Sequence, residues 1–324
     1  MSGNLLSVIF PIYNEEEVLP HLYERTRNVL AALDLDYEII FINDASRDRS
    51  LEILQGFNRS DPKVKILSFS RNFGHQMAIT AGLQFSRGDA VIILDGDLQD
   101  PPEIIPRFLE KWREGYQVVY AVRATRKDPL LMRILYKTYY RLLKAISKTE
   151  IPLDSGDCCL VDRKVANLIN AIPERNRFIR GLRSWVGFRQ TGIRYDRDKR
   201  FAGKPKYTFF KLLHLAMDGI ISFSEIPLKI SILIGFFVSI SSLLYSVYLI
   251  ANTIFNFQHR IPGWASIVVG ITLLGGVQLT VMGFLGEYII RIFDEVKGRP
   301  PYILNGCIGF DDHHAENIRR YSGL

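Results

Sequence analysis

The stretch VIILDGDLQD at residues 91–100 places four apolar residues directly before three carboxylates, those of Asp95, Asp97 and Asp100. A short apolar run bounded by turn residues is typical of a strand that is buried on both faces of a sheet. The carboxylates that follow cannot share that burial without partners, so they are expected at the edge of the sheet. The stretch therefore predicts a central strand whose carboxyl end carries acidic groups.

Strands and helices alternate around this stretch. Five apolar runs are predicted to be strands: 5–12, 37–44, 64–70, 89–97 and 116–123. The segments between them have helical periodicity, so the pattern favours an α/β domain with a mostly parallel sheet that is covered on both faces. In such sheets, ligands bind outside the carboxyl ends of the strands. Nearly all the polar chemistry of this region is therefore expected along one edge.

The first predicted strand runs into PIYNEEE (11–17), where a dinucleotide-binding domain would have the glycine pattern G-x-G-x-x-G. A Walker A sequence is also absent from the chain, so no glycine loop is expected to cradle phosphates. Carboxylates that face a diphosphate need a divalent cation between them. Asp97, with Asp95 or Gln99 beside it, offers the hard oxygen ligands that suit Mg²⁺ or Mn²⁺.

The chain has 324 residues and a formal net charge of +7, which favours an anionic partner such as nucleic acid, phospholipid or a phosphorylated substrate. The positive charge lies beside long apolar segments and without an RNA-binding aromatic motif, so a nucleic-acid partner is not expected. Cys158, Cys159 and Cys307 have no metal-ligand spacing and indicate a reducing compartment. No signal peptide is expected, because the N-terminus lacks a basic region and a long apolar core.

Two long segments carry no Asp, Glu, Lys or Arg: 230–258 and 261–286. Each exceeds the roughly 20 residues that span a bilayer core, and together they predict a transmembrane helical hairpin, with two buried core helices as the alternative. Lys229 and Arg291 flank the outer ends, whereas the connection holds Arg260. The positive-inside rule then places both outer ends on the cytoplasmic side. Glycines in the second segment favour close helix contact and, weakly, a homo-oligomer.

Four motifs occur in order along the predicted domain: IFPIYNEE (9–16), INDASRD (42–48), SRNFGHQMA (70–78) and LDGDLQDPPE (94–103). They resemble the successive motifs of family 2 glycosyltransferases, which have the Rossmann-like GT-A fold. The sequence DLQDPPE, followed by a basic segment and a membrane hairpin, is similar to the polyprenyl-phosphate glycosyltransferases. These include the dolichyl-phosphate mannose synthases and the bactoprenol glucosyltransferases. The hairpin favours the bactoprenol type, which is often found with O-antigen modification systems.

The resemblance implies which residues bind the nucleotide. Pro11, Tyr13 and Glu15 match the first nucleotide contact, around the uracil, and for Glu15 the alternative is simple negative charge at a helix N-terminus. Asp44 matches an acid that meets the base or the ribose, and a loop cap is the alternative. Asp95 matches an acid that lies near the ribose and the metal.

The same resemblance implies a metal site and a reacting centre. Asp97 matches the metal-binding, catalytic acid, with Asp95 and Gln99 close to it. An acid in the loop DSGDCC is expected beside the reacting centre; Asp157 is preferred and Asp154 is the alternative. A polyprenyl phosphate is already an anionic nucleophile near neutral pH. Asp157 is therefore expected to orient the acceptor or to stabilise positive charge at the anomeric carbon, with removal of a proton as a general base as the alternative.

A basic segment, RYDRDKRFAGKPKY (194–207), resembles the family's loop that closes over the diphosphate. Five basic residues are implied to bind the diphosphate or the acceptor phosphate: Arg123, Arg126, Arg200, Lys204 and Lys206. Pro205 stands where the family has a small hydroxyl residue, so no hydroxyl contact is implied there. A solvated basic loop near anionic lipid is the alternative for this segment.

The predicted organisation has four parts: a cytoplasmic GT-A domain at 1–210, a juxtamembrane amphipathic helix at 211–227, a transmembrane hairpin at 228–293 and a cytoplasmic C-terminal tail at 294–324. Residues 130–148 and 206–223 have amphipathic patterns that suit interfacial helices, with packing on the sheet or on a neighbouring subunit as the alternative. His75 is expected to be structural. His313 and His314 are expected to lie in a flexible tail.

The sequence therefore predicts an inverting, metal-dependent hexosyltransferase of the bacterial inner membrane, a multi-pass protein with both termini in the cytoplasm. UDP-glucose is the expected donor and a polyprenyl (undecaprenyl) phosphate the acceptor, with GDP-mannose or a UDP-linked amino-arabinose as alternative donors. A processive polysaccharide synthase is a second hypothesis, but its Q-x-x-R-W motif is missing. A non-catalytic membrane sensor for nucleotide sugars is a third, although a sensor would not need Asp95, Asp97 and Asp157 together.

Overall fold

The computed structural model of the chain describes a set of separate stretches: residues 5–123, 155–175, 177–195, 263–311 and 314–322, with short pieces between 233 and 251. The chain forms two units. The first comprises residues 1–144, 149–207 and 299–324, and the second comprises residues 145–148 and 208–298. The sheet belongs to the first unit, and a long apolar helix belongs to the second.

The described part of the first unit contains eight strands in one mixed sheet: β1 (Leu5–Ile12), β2 (Asp36–Asn43), β3 (Val64–Phe69), β4 (Ala90–Ile93), β5 (Val118–Arg123), β6 (Ser155–Asp162), β7 (Gln190–Tyr195) and β8 (Leu304–Ile308). Their order is β7-β5-β6-β4-β1-β2-β3-β8. The strands β4, β1, β2 and β3 form a parallel centre, whereas β6 and β8 run antiparallel to their neighbours. The prediction of a mostly parallel α/β sheet is confirmed.

Helices lie on both faces of the sheet. Those of the first unit are α1 (Leu19–Ala31), α2 (Ser50–Ser60), α3 (His75–Phe85), a short 3₁₀ turn (Pro102–Ile104), α4 (Ile105–Arg113), α5 (Arg163–Ala171), α6 (Ile179–Trp185) and, at the end of the chain, α8 (Ala315–Ser322). Phe10 of β1 lies in a core with Leu22 of α1, and its neighbour Ile9 lies in the opposite core with Ile79 of α3. Because successive strand residues face opposite cores, the central strands are apolar at nearly every position.

Helix α3 approaches the sheet most closely at Gly82. A Cβ atom at this position would lie 2.4 Å from Cγ2 of Ile9 and 3.0 Å from Cδ1 of Ile42. We expect Gly82→Ala to lower the free energy of unfolding by about 1–3 kcal/mol, because an overpacked core outweighs the better helix propensity of alanine. Thermal unfolding of the purified protein measures this effect.

Gly56 of α2 is the matched control, since its added Cβ would meet no heavy atom of the described residues within 4 Å. Gly56→Ala is expected to stabilise the protein by about 0.5–1 kcal/mol. Equal effects of the two substitutions would contradict the close packing of α3 on β1 and β2.

The segment DSGDCC, expected as a loop, mostly belongs to strand β6. This strand pairs antiparallel with β4 on one side and with β5 on the other. Cys158, Cys159 and Leu160 have no exposed surface, because β6 lies inside the sheet with a core on each face. Burial raises the pKa of both cysteine thiols, which are packing residues.

The C-terminal residues do not form a separate tail. Strand β8 pairs with β3 at the edge of the sheet, and Tyr302 and His314 are 0% and 4% exposed. His314 stacks on Phe85 of α3, with ring centroids 5.7 Å apart, and its Nε2 lies 3.0 Å from the Phe85 carbonyl oxygen. The segment after 298 therefore completes the sheet and one of its two cores, because its aromatic rings cover apolar surface that α3 and β3 leave open.

In the second unit, α7 spans Trp264–Val296. Among the described residues it contains the one stretch that is long and apolar enough to cross a membrane, the 24 residues Leu273–Val296 with a mean hydropathy of 1.5. Only the length and the composition of the helix support a membrane crossing. Most of the other predicted span, 230–258, and both amphipathic segments, 130–148 and 206–223, lie outside the described residues. The hairpin therefore stays a prediction.

Candidate active site

The pairing of β6 with β4 brings two acidic stretches to one edge of the sheet. Ile93 of β4 pairs with Cys159 of β6 in antiparallel register. Asp95 lies two residues after Ile93 and Asp157 two residues before Cys159, so both emerge at the same edge. Nε2 of His75, the first residue of α3, lies 3.5 Å from Oδ1 of Asp95 and 3.4 Å from Oδ2 of Asp157. One imidazole therefore lies between two carboxylates.

The electrostatic setting keeps His75 protonated. Burial opposes its charged form, but the hydrogen bond with Asp157 and the charges of both carboxylates outweigh burial and raise the pKa of His75 to about 9. The imidazole is therefore cationic at neutral pH. The sequence predicted only a structural role for this residue, whereas the structure places it in contact with both acids.

Three side chains hold the carboxylate of Asp157. Its Oδ1 accepts a hydrogen bond from Nη2 of Arg180 at 3.3 Å, and its Oδ2 accepts one from Nε2 of Gln76 at 3.2 Å, beside the contact with His75. Burial alone would raise the pKa of Asp157, but Arg180 and His75 outweigh it and hold that pKa well below its usual range. Asp157 is thus ionised throughout the physiological pH range, which suits a fixed negative charge better than a general base poised near neutral pH.

A tight turn orders the acidic segment that follows β4. Leu98 has a φ of 57°, in the left-handed region, and Oδ1 of Asp97 accepts a hydrogen bond from the backbone N–H of Gln99 at 3.1 Å. Asp97 is 7% exposed, so the turn fixes it in a mostly buried position. β4 ends at Ile93, the last residue that pairs with β1 and β6, although the sequence predicted the strand to continue to residue 97.

The acidic edge suits a divalent cation whose remaining ligands come from a substrate. Oδ1 of Asp95 is buried and makes no hydrogen bond within the described residues. Burial, with the neighbouring carboxylates, raises the pKa of Asp95 to about 6, although His75 opposes the shift. The described residues contain no group of three or more His, Cys, Asp or Glu that could hold a metal by themselves. Mg²⁺ is commonly held by one or two carboxylates plus substrate phosphates, which is the chemistry that Asp95 and Asp97 offer. The part of Gln99 in such a site stays a prediction.

The loops that follow β1 and β2 are joined by hydrogen bonds. Three residues implied in uracil binding come at the end of β1 or just after it: Pro11, Tyr13 and Glu15. The backbone N–H of Glu15 donates to Oγ of Ser50 at 3.0 Å, and Oδ1 of Asn14 accepts from the backbone N–H of Arg47 at 2.8 Å. These bonds hold the two loops together at the edge where the nucleotide was expected. The contacts with uracil themselves stay predictions.

Asp44 organises a third loop of this edge. It is 3% exposed, and its carboxylate accepts hydrogen bonds from the backbone N–H groups of Phe73, at 2.7 Å, and Gly74, at 2.9 Å. Burial raises the pKa of Asp44, although these two bonds favour its anion. The contacts correspond to the loop-cap alternative. The contact of Asp44 with the base or ribose stays a prediction.

The residues implied in phosphate binding are described only in part. Arg123 is the last residue of β5 and pairs with Tyr195, the last residue of β7. Four further basic residues, and Asp154, lie outside the described residues: Arg126, Arg200, Lys204 and Lys206. Their roles stay predictions.

Three residues of the acidic edge were not expected from the sequence: His75, Gln76 and Arg180. A weak signal existed for the first two, because they are polar residues that follow the loop after the third predicted strand, at the edge where ligands bind. Arg180 gave no such signal, since it reaches Asp157 from a helix that no sequence pattern placed near the sheet.

Comparisons with known proteins identify relatives over nearly the whole chain. The family described as "Glycosyl transferase family 2" matches residues 7–169. The SfII prophage-derived bactoprenol glucosyl transferase of Shigella flexneri is 44% identical over 92% of this chain and 97% of its own length. The prophage bactoprenol glucosyl transferase homolog of Escherichia coli (strain K12) is 42% identical over 92% and 98% of the two chains. The uncharacterized glycosyltransferase YkcC of Bacillus subtilis is 46% identical over 94% and 95%.

Weaker similarity to solved structures is also found. A glucosyl-3-phosphoglycerate synthase from Mycobacterium tuberculosis, crystallised with Mn²⁺, UDP and glucosyl-3-phosphoglycerate, is 19% identical, with a TM-score of 0.43 over 67% of this chain and 77% of that chain. This level of similarity is too low to support an argument about the site.

Proposed function

Since this chain belongs to glycosyl transferase family 2, we propose that it transfers glucose from UDP-glucose to a polyprenyl phosphate such as undecaprenyl phosphate. The observation that carries the proposal is the 42–44% identity, over more than nine tenths of both chains, to proteins named as bactoprenol glucosyl transferases. Similarity of that extent includes the segments outside the family match as well as the acidic edge.

The geometry around Asp157 supports a displacement in which the acceptor needs no general base. The nucleophile is a phosphate oxygen of the lipid, which is already anionic; it forms a bond to the anomeric carbon as the bond to the UDP oxygen breaks, with inversion. Asp157 is held ionised by Arg180 and His75, so its charge is fixed before the substrates arrive. It orients the acceptor or offsets positive charge at the anomeric carbon.

The remaining roles belong to the same proposal. Asp95, Asp97 and Gln99 would hold Mg²⁺ or Mn²⁺, which when bound neutralises charge on the leaving diphosphate. Four residues would contact the nucleoside: Pro11, Tyr13, Glu15 and Asp44. Five basic residues would hold the diphosphate and the lipid phosphate: Arg123, Arg126, Arg200, Lys204 and Lys206.

We also propose that the reaction takes place at the cytoplasmic face of the bacterial inner membrane. The candidate span in α7 supports one membrane crossing, and the uncharged segment 230–258 supports a second. With the hairpin at 228–293 and an amphipathic helix at 211–227, both termini lie in the cytoplasm. The acceptor phosphate lies at the level of the lipid headgroups, so the active site must lie close to the membrane surface. Gly275 and Gly276 of α7 suit contact between copies of the chain.

The test is product formation by the full chain in detergent, from radiolabelled UDP-glucose and undecaprenyl phosphate, with Mg²⁺ or with EDTA. Label is expected in the lipid phase only with the metal. Asp97→Ala is expected to lower the rate about 10²-fold or more, because it removes an interaction with the developing charge. Asp34→Ala is the matched control, since Asp34 is exposed and lies between α1 and β2, at the opposite edge of the sheet.

Each contrary outcome corrects a different part of the proposal. Labelled lipid from GDP-mannose but not from UDP-glucose would replace the donor. Label formed equally well in EDTA would remove the metal role of the carboxylates. Binding of nucleotide sugars without product from any donor would favour the sensor.

A further inference from the structure

Gln76 makes two hydrogen bonds with opposite polarity at the acidic edge. Its side-chain Nε2 donates to Oδ2 of Asp157 at 3.2 Å, and its Oε1 accepts from the backbone N–H of Ile179 at 2.9 Å. Ile179 is the first residue of α6. A single amide therefore links the carboxylate of Asp157 to the start of another helix.

Oε1 of Gln76 accepts the hydrogen bond of the first backbone N–H group of α6. Its N-cap residue, Phe178, provides no side-chain hydrogen bond to the helix within the described residues. The first N–H groups of a helix need external acceptors, and here Oε1 of Gln76 satisfies one of them. Arg180, the next residue, donates to Oδ1 of Asp157. The contacts thus form a closed ring from Asp157 through Gln76 and α6 to Arg180 and back to Asp157.

We propose that Gln76 is a positioning residue for glucosyl transfer, one that fixes Asp157 and the α6 arginine as a single unit. The inference rests on the proposed function for its effect on turnover. Arg180 and His75 supply charge to Asp157, whereas Gln76 is neutral and supplies only direction. An amide is required because one end of the side chain must donate and the other must accept at the same time.

Two substitutions of Gln76 separate its contact with Asp157 from its contact with Ile179. In Gln76→Glu, the side chain still accepts from Ile179, but once ionised it cannot donate to Asp157 and meets that carboxylate with a like charge. Because the neighbouring carboxylate raises the pKa of the new carboxyl, kcat of this variant is measured from about pH 7 to pH 9.5. In Gln76→Met, both contacts are lost with little change in volume. Gln84→Glu is the matched control, because Gln84 lies on the same helix and contacts Tyr302 and Tyr321 instead.

We expect the ionised form of Gln76→Glu to lower kcat about 10²-fold, as for a misplaced catalytic group, while KM for UDP-glucose stays close to that of the wild type. The melting temperature of this form is expected to fall, because two carboxylates then meet in a mostly buried site. Gln84→Glu should leave kcat unchanged. Hydrogen–deuterium exchange across residues 177–185 should accelerate in Gln76→Met and stay at the wild-type rate in Gln76→Glu, because only the methionine removes the acceptor of Ile179.

Wild-type kcat in Gln76→Glu across the whole pH range would overturn the proposal, since a merely structural role needs only the contact with α6. Unchanged exchange in Gln76→Met would overturn the link to α6. If the wild type makes no lipid-linked glucose, the proposed function fails, and the exchange contrast between the two variants still decides whether Gln76 fixes α6.

Discussion

Replacing Asp157 with asparagine is expected to lower kcat for glucosyl transfer by about 10³-fold, with a much smaller change in KM for UDP-glucose. The asparagine side chain has the same shape but no charge. Arg180 and His75, which surround the carboxylate at 3.3 and 3.4 Å, would then face a neutral amide. The site would lose its fixed negative charge, and Arg180 would place positive charge where the sugar becomes positive.

Two matched variants make this test specific. Asp162 is at the other end of β6, where its carboxylate caps α5 by accepting from the backbone N–H of Lys164 at 2.9 Å. Asp162→Asn should cost about 1 kcal/mol of stability or less and leave kcat near the wild-type value. Asp154→Asn tests the alternative acid. Activity retained in Asp157→Asn but lost in Asp154→Asn would transfer the role to Asp154.

The first five strands could be predicted because their signal is local. The run 5–12 matches β1 at both ends, and the predicted second and third strands differ from β2 and β3 by at most one residue at each end. Such runs are mostly apolar, since both faces of the sheet are covered. The fourth prediction was too long, because the pairing of β4 with β1 and β6 stops at Ile93, which only the structure reveals.

The last three strands, β6, β7 and β8, depend on contacts between distant parts of the chain. β6 reads in the sequence as a short polar loop followed by two cysteines, and it becomes a central strand only by pairing with β4 and β5. β8 pairs with β3 across a separation of more than 230 residues, for example Ile66 with Ile308. Strand propensity cannot identify such pairings, because tertiary packing decides them.

The residues of the candidate site also divide into those that the sequence indicates locally and those that distant contacts bring together. Asp95 and Asp97 could be proposed because they follow a strand that is visible in the sequence, and Asp157 because the family resemblance implies an acid in DSGDCC. The positions of His75 and Arg180 follow from the antiparallel register of β6 against β4 and from the start of α6 beside it. A motif gives the residue types, whereas the partners that set a pKa come from elements that are distant in sequence.

Removing the side chain of Tyr302 is expected to lower the free energy of unfolding of the first unit by about 3–5 kcal/mol, the range for deleting a buried aromatic ring. Tyr302 has no exposed surface, and its ring stacks on Phe69 of β3 at 5.0 Å and on Tyr321 of α8 at 4.5 Å. Its hydroxyl donates to the side chain of Gln84 on α3. Tyr302→Ala therefore removes one ring that joins three elements.

Thermal unfolding of the full chain in detergent, at one scan rate, measures this effect against two controls. Tyr302→Phe keeps the stacking and loses only the hydrogen bond, so it should cost about 1–3 kcal/mol. Ile303→Ala changes the next residue, which is 45% exposed, and should cost less than either Tyr302 variant. If Tyr302→Ala melts no lower than Ile303→Ala, the C-terminal segment does not belong to the core of the first unit. A large loss of stability would mean that the sheet that holds Asp95 and Asp157 is complete only when the segment after α7 has joined it.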